Sequence, residues 1–208
     1  MALGAVLTAL VVVLFAADMM VGSVGISAKD VLAALMGGGD PVTRKIVIDI
    51  RLMKAIVAIL AGAALSVSGL QMQTLFRNPL AGPYVLGVSS GASLGVALFI
   101  LGAPLLGIGG SAWLSTVGVA GAAWIGAAAI LAVVAAVSQR IKDIMVILIL
   151  GMMASSGVSA IVQILQYMSN EEALKSFVIW TMGSLGDVTT SQLALVAPAI
   201  IAGLIISV

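Results

Sequence analysis

A chain of 208 residues that is 62% hydrophobic and only 8% charged, with a net charge of +1 and a mean hydropathy of +1.29, cannot cover a water-exposed surface. A soluble domain needs about 25% charged residues. The near-neutral balance argues against a nucleic-acid partner, and the absence of cysteine and histidine excludes disulfides, thiolate or imidazole metal sites and Ser-His catalysis.

The apolar runs are continuous rather than alternating, so the expected class is an all-α, polytopic membrane helix bundle and not a β-barrel. In chain order, six spans are predicted, at about residues 2–21, 52–75, 84–101, 114–137, 144–167 and 192–208. The first lacks the basic leader of a signal peptide. Residues 22–50 follow as a long polar connection, in which Ser27 and Asp30 cap a short helix through Met36 and Gly37–Gly39 stop it. A Gly-rich turn is expected at 102–113 and a charged turn at 139–143. Asn170–Met182 reads as an amphipathic helix, broken by the GSLGD run. The sixth span is still apolar at Val208, which leads us to expect the N-terminal part of a larger protein.

Small residues recur at helical spacing. Gly87, Gly91 and Gly95 share one face, as do Gly151, Ser155 and Ser159, and Gly62 and Gly69 lie in the second span. Such stripes let membrane helices approach closely, which is generic packing and names no function.

The least ordinary stretch is 51–92, RLMKAIVAILAGAALSVSGLQMQTLFRNPLAGPYVLGVSSGA. An apolar helix ends in Gln71, Gln73, Arg77 and Asn78, after which Pro79 and Pro83 forbid helix continuation. Gln71 and Gln73 are open to two readings, an aqueous lining or interfacial capping.

This segment resembles the FecCD/BtuC-type permease subunits of ABC importers for iron-siderophores, haem and vitamin B12. That family's pattern is RLPR, GAALA-x-SG, Q, RNPLA-x-P-x-x-LG and GA. It is matched by Arg51-Leu-Met-Lys54, Gly62-Ala-Ala-Leu-Ser-Val-Ser-Gly69, Gln73, Arg77-Asn-Pro-Leu-Ala81, Pro83, Leu86-Gly87 and Gly91-Ala92. A second match is Trp180-Thr-Met-Gly-Ser-Leu185 followed by Gln192-Leu193.

The resemblance implies about ten spans per subunit, of which this chain holds six without the coupling region. It also implies a homodimeric path in the bacterial cytoplasmic (inner) membrane. Two separate ATPase subunits would carry ATP-Mg inside, and a periplasmic or lipoprotein substrate-binding protein would dock outside. The chain has no Gly-Lys pair and hence no phosphate loop, so neither cofactor nor ATP hydrolysis is expected of it. By the same resemblance, Arg51 and Lys54 dock the binding protein, Arg51 being the firmer assignment because Lys54 replaces an arginine and loses its bidentate geometry. Asn78 and Leu80 line the cytoplasmic gate with Ile144 and Met145, while Gln71, Gln73, Arg77, Pro79 and Pro83 belong to the path motif.

The implied topology has the N-terminus inside. The positive-inside rule opposes it: the outer loops would carry Lys29, Arg44, Lys45, Arg51, Lys54 and Lys175, and the inner turns only Arg77, Arg140 and Lys142. A basic outer patch facing an acidic partner would explain the inversion.

Three rivals compete. An intramembrane aspartyl protease would need Asp187 and Asp18 at membrane depth, but Asp187 reads as a loop residue. A secondary transporter or channel not powered by ATP would place ionisable residues at mid-span, where none fall. A non-transporting scaffold would be indifferent to substitution at the gate.

Overall fold

In a computed structural model of the chain, which describes residues 2–105, 116–141, 143–186 and 188–207, every regular element is helical among those residues. Most of the expected 102–113 turn, together with Lys142 and Asp187, lies outside the described residues. The chain packs as two units, Met1–Leu65 with Ser184–Val208, and Ser66–Gly183. Among the described residues, three helices are long and apolar enough to cross a bilayer: Ala2–Met20, Gly118–Ser138 and Ile144–Met168. Val88–Gly102 and Gln192–Ser207 are shorter apolar helices.

In the first unit, α1 (Ala2–Met20) is apolar all round and exposed over most of its length, as a lipid-facing helix must be. The expected short helix is α2 (Ala28–Leu35). The Ser27 side chain accepts from the Asp30 N–H at 3.2 Å and its hydroxyl donates to Asp30 Oδ2 at 2.7 Å. The helix ends on Gly37 and Gly39, both at positive φ.

The rest of the expected polar connection is not loop. Asp40 caps α3 (Pro41–Lys45), accepting from the Val42 and Thr43 N–H groups at 3.1 and 3.0 Å, with Pro41 in the first turn. The helix then passes through a π-helical stretch, Ile46–Leu52, into α4 (Met53–Phe76) without a break. Asp40-Pro41 is a strong start signal, but the β-branched run after it reads poorly as helix. The wider π turn brings Val47 and Arg51 to the buried side. Met19, Val31, Ala34, Val47 and Ala55 form the core of this unit. α10 (Thr190–Ser207) belongs to the same unit and carries Pro198 inside it.

The second unit is built around α5 (Val88–Ala97). Its helix continues through a π-helical stretch, Leu98–Gly102, into α6 (Ala103–Leu105). α5 packs on α7 (Thr116–Ser138) and α8 (Ile144–Met168), and α9 (Glu171–Met182) lies against the π stretch. Asp143 caps α8, accepting from the Met145 N–H at 2.8 Å. Asn170 caps α9, accepting from the Ala173 N–H at 2.9 Å. The core joins Val96, Ala97, Ile100 and Leu101 to Val158, Val162 and Phe177.

The glycine stripe makes the α5–α7 contact. A Cβ on Gly91 would stand 2.5 Å from Gly126 O and 2.7 Å from Ile130 Cγ1, and one on Gly95 would strike Ala122 O. Each step of four forward on α5 meets a step of four backward on α7, so the two helices are antiparallel at near backbone contact. Gly62 and Gly69, expected in the same role, have no described atom within 4 Å of where a Cβ would stand.

Candidate functional sites

Two places gather the residues that the sequence singles out, one in each unit. In the first unit, α1 ends with carbonyls that no helical N–H can reach, as every helix does. Arg51 reaches across from the π turn and supplies the donors. Its Nη1 donates to Met19 O at 2.8 Å and Met20 O at 3.1 Å, and its Nη2 donates to Val24 O. A cation at a helix C-terminus also meets the negative end of the helix dipole. The residue is 6% exposed, so its charge is turned inward. Gly22 makes room for it: a Cβ there would stand 2.8 Å from Arg51 Nη2.

Lys54, less than one helical turn later, points elsewhere. Its ammonium lies 3.1 Å from Asp18 Oδ1, with both side chains substantially exposed. The two bases of one motif therefore do different things. One is consumed by backbone; the other sits at the surface in a loose pair worth at most about 1 kcal/mol.

In the second unit, α4 ends at Phe76 and the chain turns through a set of short local bonds. Arg77 sits at φ 48°, a left-handed conformation that non-glycine residues adopt reluctantly. The Asn78 N–H donates to Gln73 O at 3.1 Å, the Leu80 N–H donates to Asn78 Oδ1 at 2.9 Å, and the Ala81 N–H returns to Asn78 O at 3.1 Å. Pro79 lies exposed within this turn, and Pro83 opens a 3-10 turn, Pro83–Leu86. Gly87, at φ 78°, then starts α5.

Ala81 and Leu86 are buried, whereas Leu80 is 81% exposed at the tip. The 3-10 turn rests on α8. A Cβ on Gly151 would stand 2.5 Å from Val85 O, and one on Gly87 would stand 3.0 Å from Ser155 Oγ. Ile144 and Met145, both exposed, begin that same helix about two turns before Gly151. Gln71 and Gln73 lie exposed on the last turns of α4.

Because α5 and α7 are antiparallel and a short turn joins α7 to α8, Arg77 and Arg140 share one end of this unit. α9, with Glu171, Glu172 and Lys175, occupies the other. Gly22, Ala122 and Gly126 were not singled out from sequence. Their roles depend on which backbone lies opposite, and no local pattern records that.

Residues 10–208 match the model of the FecCD transport family. The chain is 37% identical to the hemin transport system permease protein HmuU of Yersinia pestis, over 76% of this chain and 48% of the relative. It is 36% identical to the molybdate import system permease protein MolB of Haemophilus influenzae, over 70% and 41%. It is 32% identical to the vitamin B12 import system permease protein BtuC of Vibrio parahaemolyticus, over 90% and 53%. A solved structure described as an inward-facing conformation of a metal-chelate type ABC transporter superposes with a TM-score of 0.77 at 30% identity, covering 94% of this chain and 57% of that one. The chain thus spans about half the length of the curated relatives it matches. With its apolar helices and this set of relatives, it is a multi-pass membrane protein that belongs to the FecCD transport family.

Proposed function

We propose that the chain forms part of the membrane-spanning permease of an ATP-driven importer for iron chelates (siderophore or haem) or cobalamin, in the bacterial cytoplasmic membrane. Two permease subunits enclose the path. Two ATPase subunits holding ATP-Mg drive it from inside, and a binding protein delivers the solute from outside. The chain itself binds no cofactor.

The observation that carries this reading is the turn from Arg77 to Gly87. It is a polar, proline-broken segment locked to α8 through Gly87 and Gly151, and it leaves one large apolar side chain, Leu80, free at its tip. A turn seated on a rigid helix moves when that helix tilts, which is what a gate in alternating access requires. Asn78 fixes the turn, Leu80 closes it, and Ile144 and Met145, at the start of the same α8, form a second constriction that moves with it.

The pairing of Arg77 with Arg140 at one end of the second unit supports a cytoplasmic gate and an external α9. Docking of an acidic binding protein falls to Lys54 ahead of Arg51, because Lys54 is the base that a partner can reach.

The test is uptake of hemin, ferric enterobactin, cobalamin and molybdate by cells carrying the full-length permease with its partner subunits. One solute should be accumulated, and accumulation should vanish when the partner's ATP hydrolysis is disabled. Leu80→Ala should change the rate by about fivefold at an unchanged protein level. Uptake that survives without ATP hydrolysis would transfer the chain to the secondary transporters. A cytoplasm-only reporter active after Gly38 would invert the topology.

A further inference from the structure

The second unit carries an open groove of about 390 Å³ between α5 and α8 that the gate does not use. Ser89, Ser90 and Ser93 line it from α5, and Ser159, Gln163 and Gln166 from α8. The buried side chains of Val158 and Val162 form its floor. No charged residue lines it.

Ser89 and Ser93 lie on the side of α5 away from the glycine stripe, two residues out of step with Gly87, Gly91 and Gly95, and Ser90 lies on the flank between. α5 thus has two small-residue faces, one closed against α7 at backbone contact and one left recessed. On α8, Ser159, Gln163 and Gln166 follow one face at helical spacing.

What sets this groove apart is the state of its polar groups. Hydroxyls on membrane helices ordinarily fold back onto their own helix, and those nearby do. Ser155 donates to Gly151 O at 2.9 Å, Ser156 to Met152 O at 3.1 Å and Thr74 to Leu70 O at 2.8 Å. Among the described residues, none of the six groove side chains has a hydrogen-bond partner in the protein. Hydrocarbon cannot cover four hydroxyls and two carboxamides in that state without a cost of several kcal/mol per group. A second helix seated there would meet two long amides and a recess rather than the flush surface that α5 offers α7. The volume is that of a small-molecule pocket.

We infer that this groove is a water-filled contact site at which the transported solute is hydrogen-bonded through the oxygen and nitrogen atoms on its periphery. Hydroxyl and carboxamide groups both donate and accept, so the site fits an oxyanion or an oxygen-rich chelate alike and demands no fixed charge of either sign. With no carboxylate, thiolate or imidazole lining it, the groove offers a bare transition-metal cation none of the ligands that hold one tightly. Uncharged contacts also release what they hold, as a conducting path must. This inference rests on the permease reading above.

These 208 residues hold no cysteine, so each variant adds one thiol to this part of the permease, and the unsubstituted complex treated alike gives the background to subtract. Ser93→Cys and Ser159→Cys change one atom each in an open groove. They are placed in the full-length permease, assembled with its partners in membrane vesicles, and treated with a small anionic methanethiosulfonate. The groove thiols should react about tenfold faster than Ser155→Cys, which is closed against Gly87. Hemin, ferric enterobactin, cobalamin or molybdate should slow that reaction at least about threefold, and the added charge should cut uptake of the protecting solute at least about fivefold.

Reaction no faster than at Ser155→Cys would mean that protein fills the groove and would overturn the inference. Fast reaction with neither protection nor loss of uptake would overturn it too, leaving a hydrated crevice with no solute in it. Failure of the ATP-driven reading looks different: protection by a solute would then persist while uptake ignored ATP hydrolysis.

Discussion

The break before α4 and the break after it are both polar interruptions of apolar helix, yet they are built on opposite plans. At the first, one long side chain crosses more than 25 residues of sequence to hold the end of α1 and the loop beyond it. At the second, bonds between near neighbours shape the turn, and glycines press it onto α8. A long-range clamp concentrates its contribution in one residue. A local turn spreads it over many, and that leaves the tip free to differ in function without loss of fold.

The largest effect should come from the packing beneath the second break. Gly95→Leu would drive a side chain into the α7 backbone at Ala122, where no rotamer relieves the clash. The expected cost is about 4 kcal/mol, seen as a fall of about 10 °C in the detergent melting midpoint or as loss of folded protein. Gly62→Leu is the matched control, since Gly62 has no described atom near its Cβ position. It should leave the midpoint within about 2 °C. Equal effects would mean that the α5–α7 approach is not what the stripe is for.

Arg51→Ala comes next. It strands the carbonyls of Met19, Met20 and Val24 in a protected site, for about 3 kcal/mol. Arg51→Lys should recover only part of this, because an ammonium cannot span three acceptors as a planar fork does. Protease cleavage within residues 20–25 should rise in Arg51→Ala before the second unit loosens. A variant that stays fully folded and loses only binding-protein affinity would return Arg51 to the docking surface.

How much of this was legible beforehand follows from the same contrast. Run length alone gives the helical membrane class, and side-chain caps such as Ser27 and Asn170 announce their helices because the cap and the capped N–H are sequence neighbours. The proline-broken turn was legible for the same reason. The destination of Arg51 was not, because its acceptors are backbone carbonyls and every residue has one. α3 falls within the expected polar connection: its Asp40-Pro41 start is standard, but the β-branched residues that follow belong to a π turn whose period differs from that of an α-helix. Of the groove serines only Ser159 stands out in the sequence, as part of a packing stripe, because a serine that bonds its own helix and one that lines a groove look alike until the neighbouring helix is in place.

At the turn itself, Asn78→Ala removes the acceptor for the Leu80 N–H while leaving the bonds through the Asn78 backbone. About 1 kcal/mol is expected, with solute flux altered well beyond what that loss explains, because the tip that Asn78 shapes carries Leu80.

The smallest effect separates the two bases of the first break. Lys54 and Asp18 form an exposed pair, so Lys54→Met should change stability by no more than roughly the few tenths of a kcal/mol such pairs contribute, leaving the melting midpoint nearly unmoved. If Lys54 faces an acidic binding protein, the same substitution should slow association several-fold and flatten its dependence on salt, leaving dissociation nearly unchanged. Asp18→Asn frees the ammonium from its internal partner at equally small cost in stability, and should speed association. Opposite shifts from Lys54→Met and Asp18→Asn, with Arg51→Lys altering stability more than association, would establish that the clamp and the docking charge are separate residues of one four-residue motif. A salt-insensitive association rate in all three variants would remove the docking role from this end of α4 altogether.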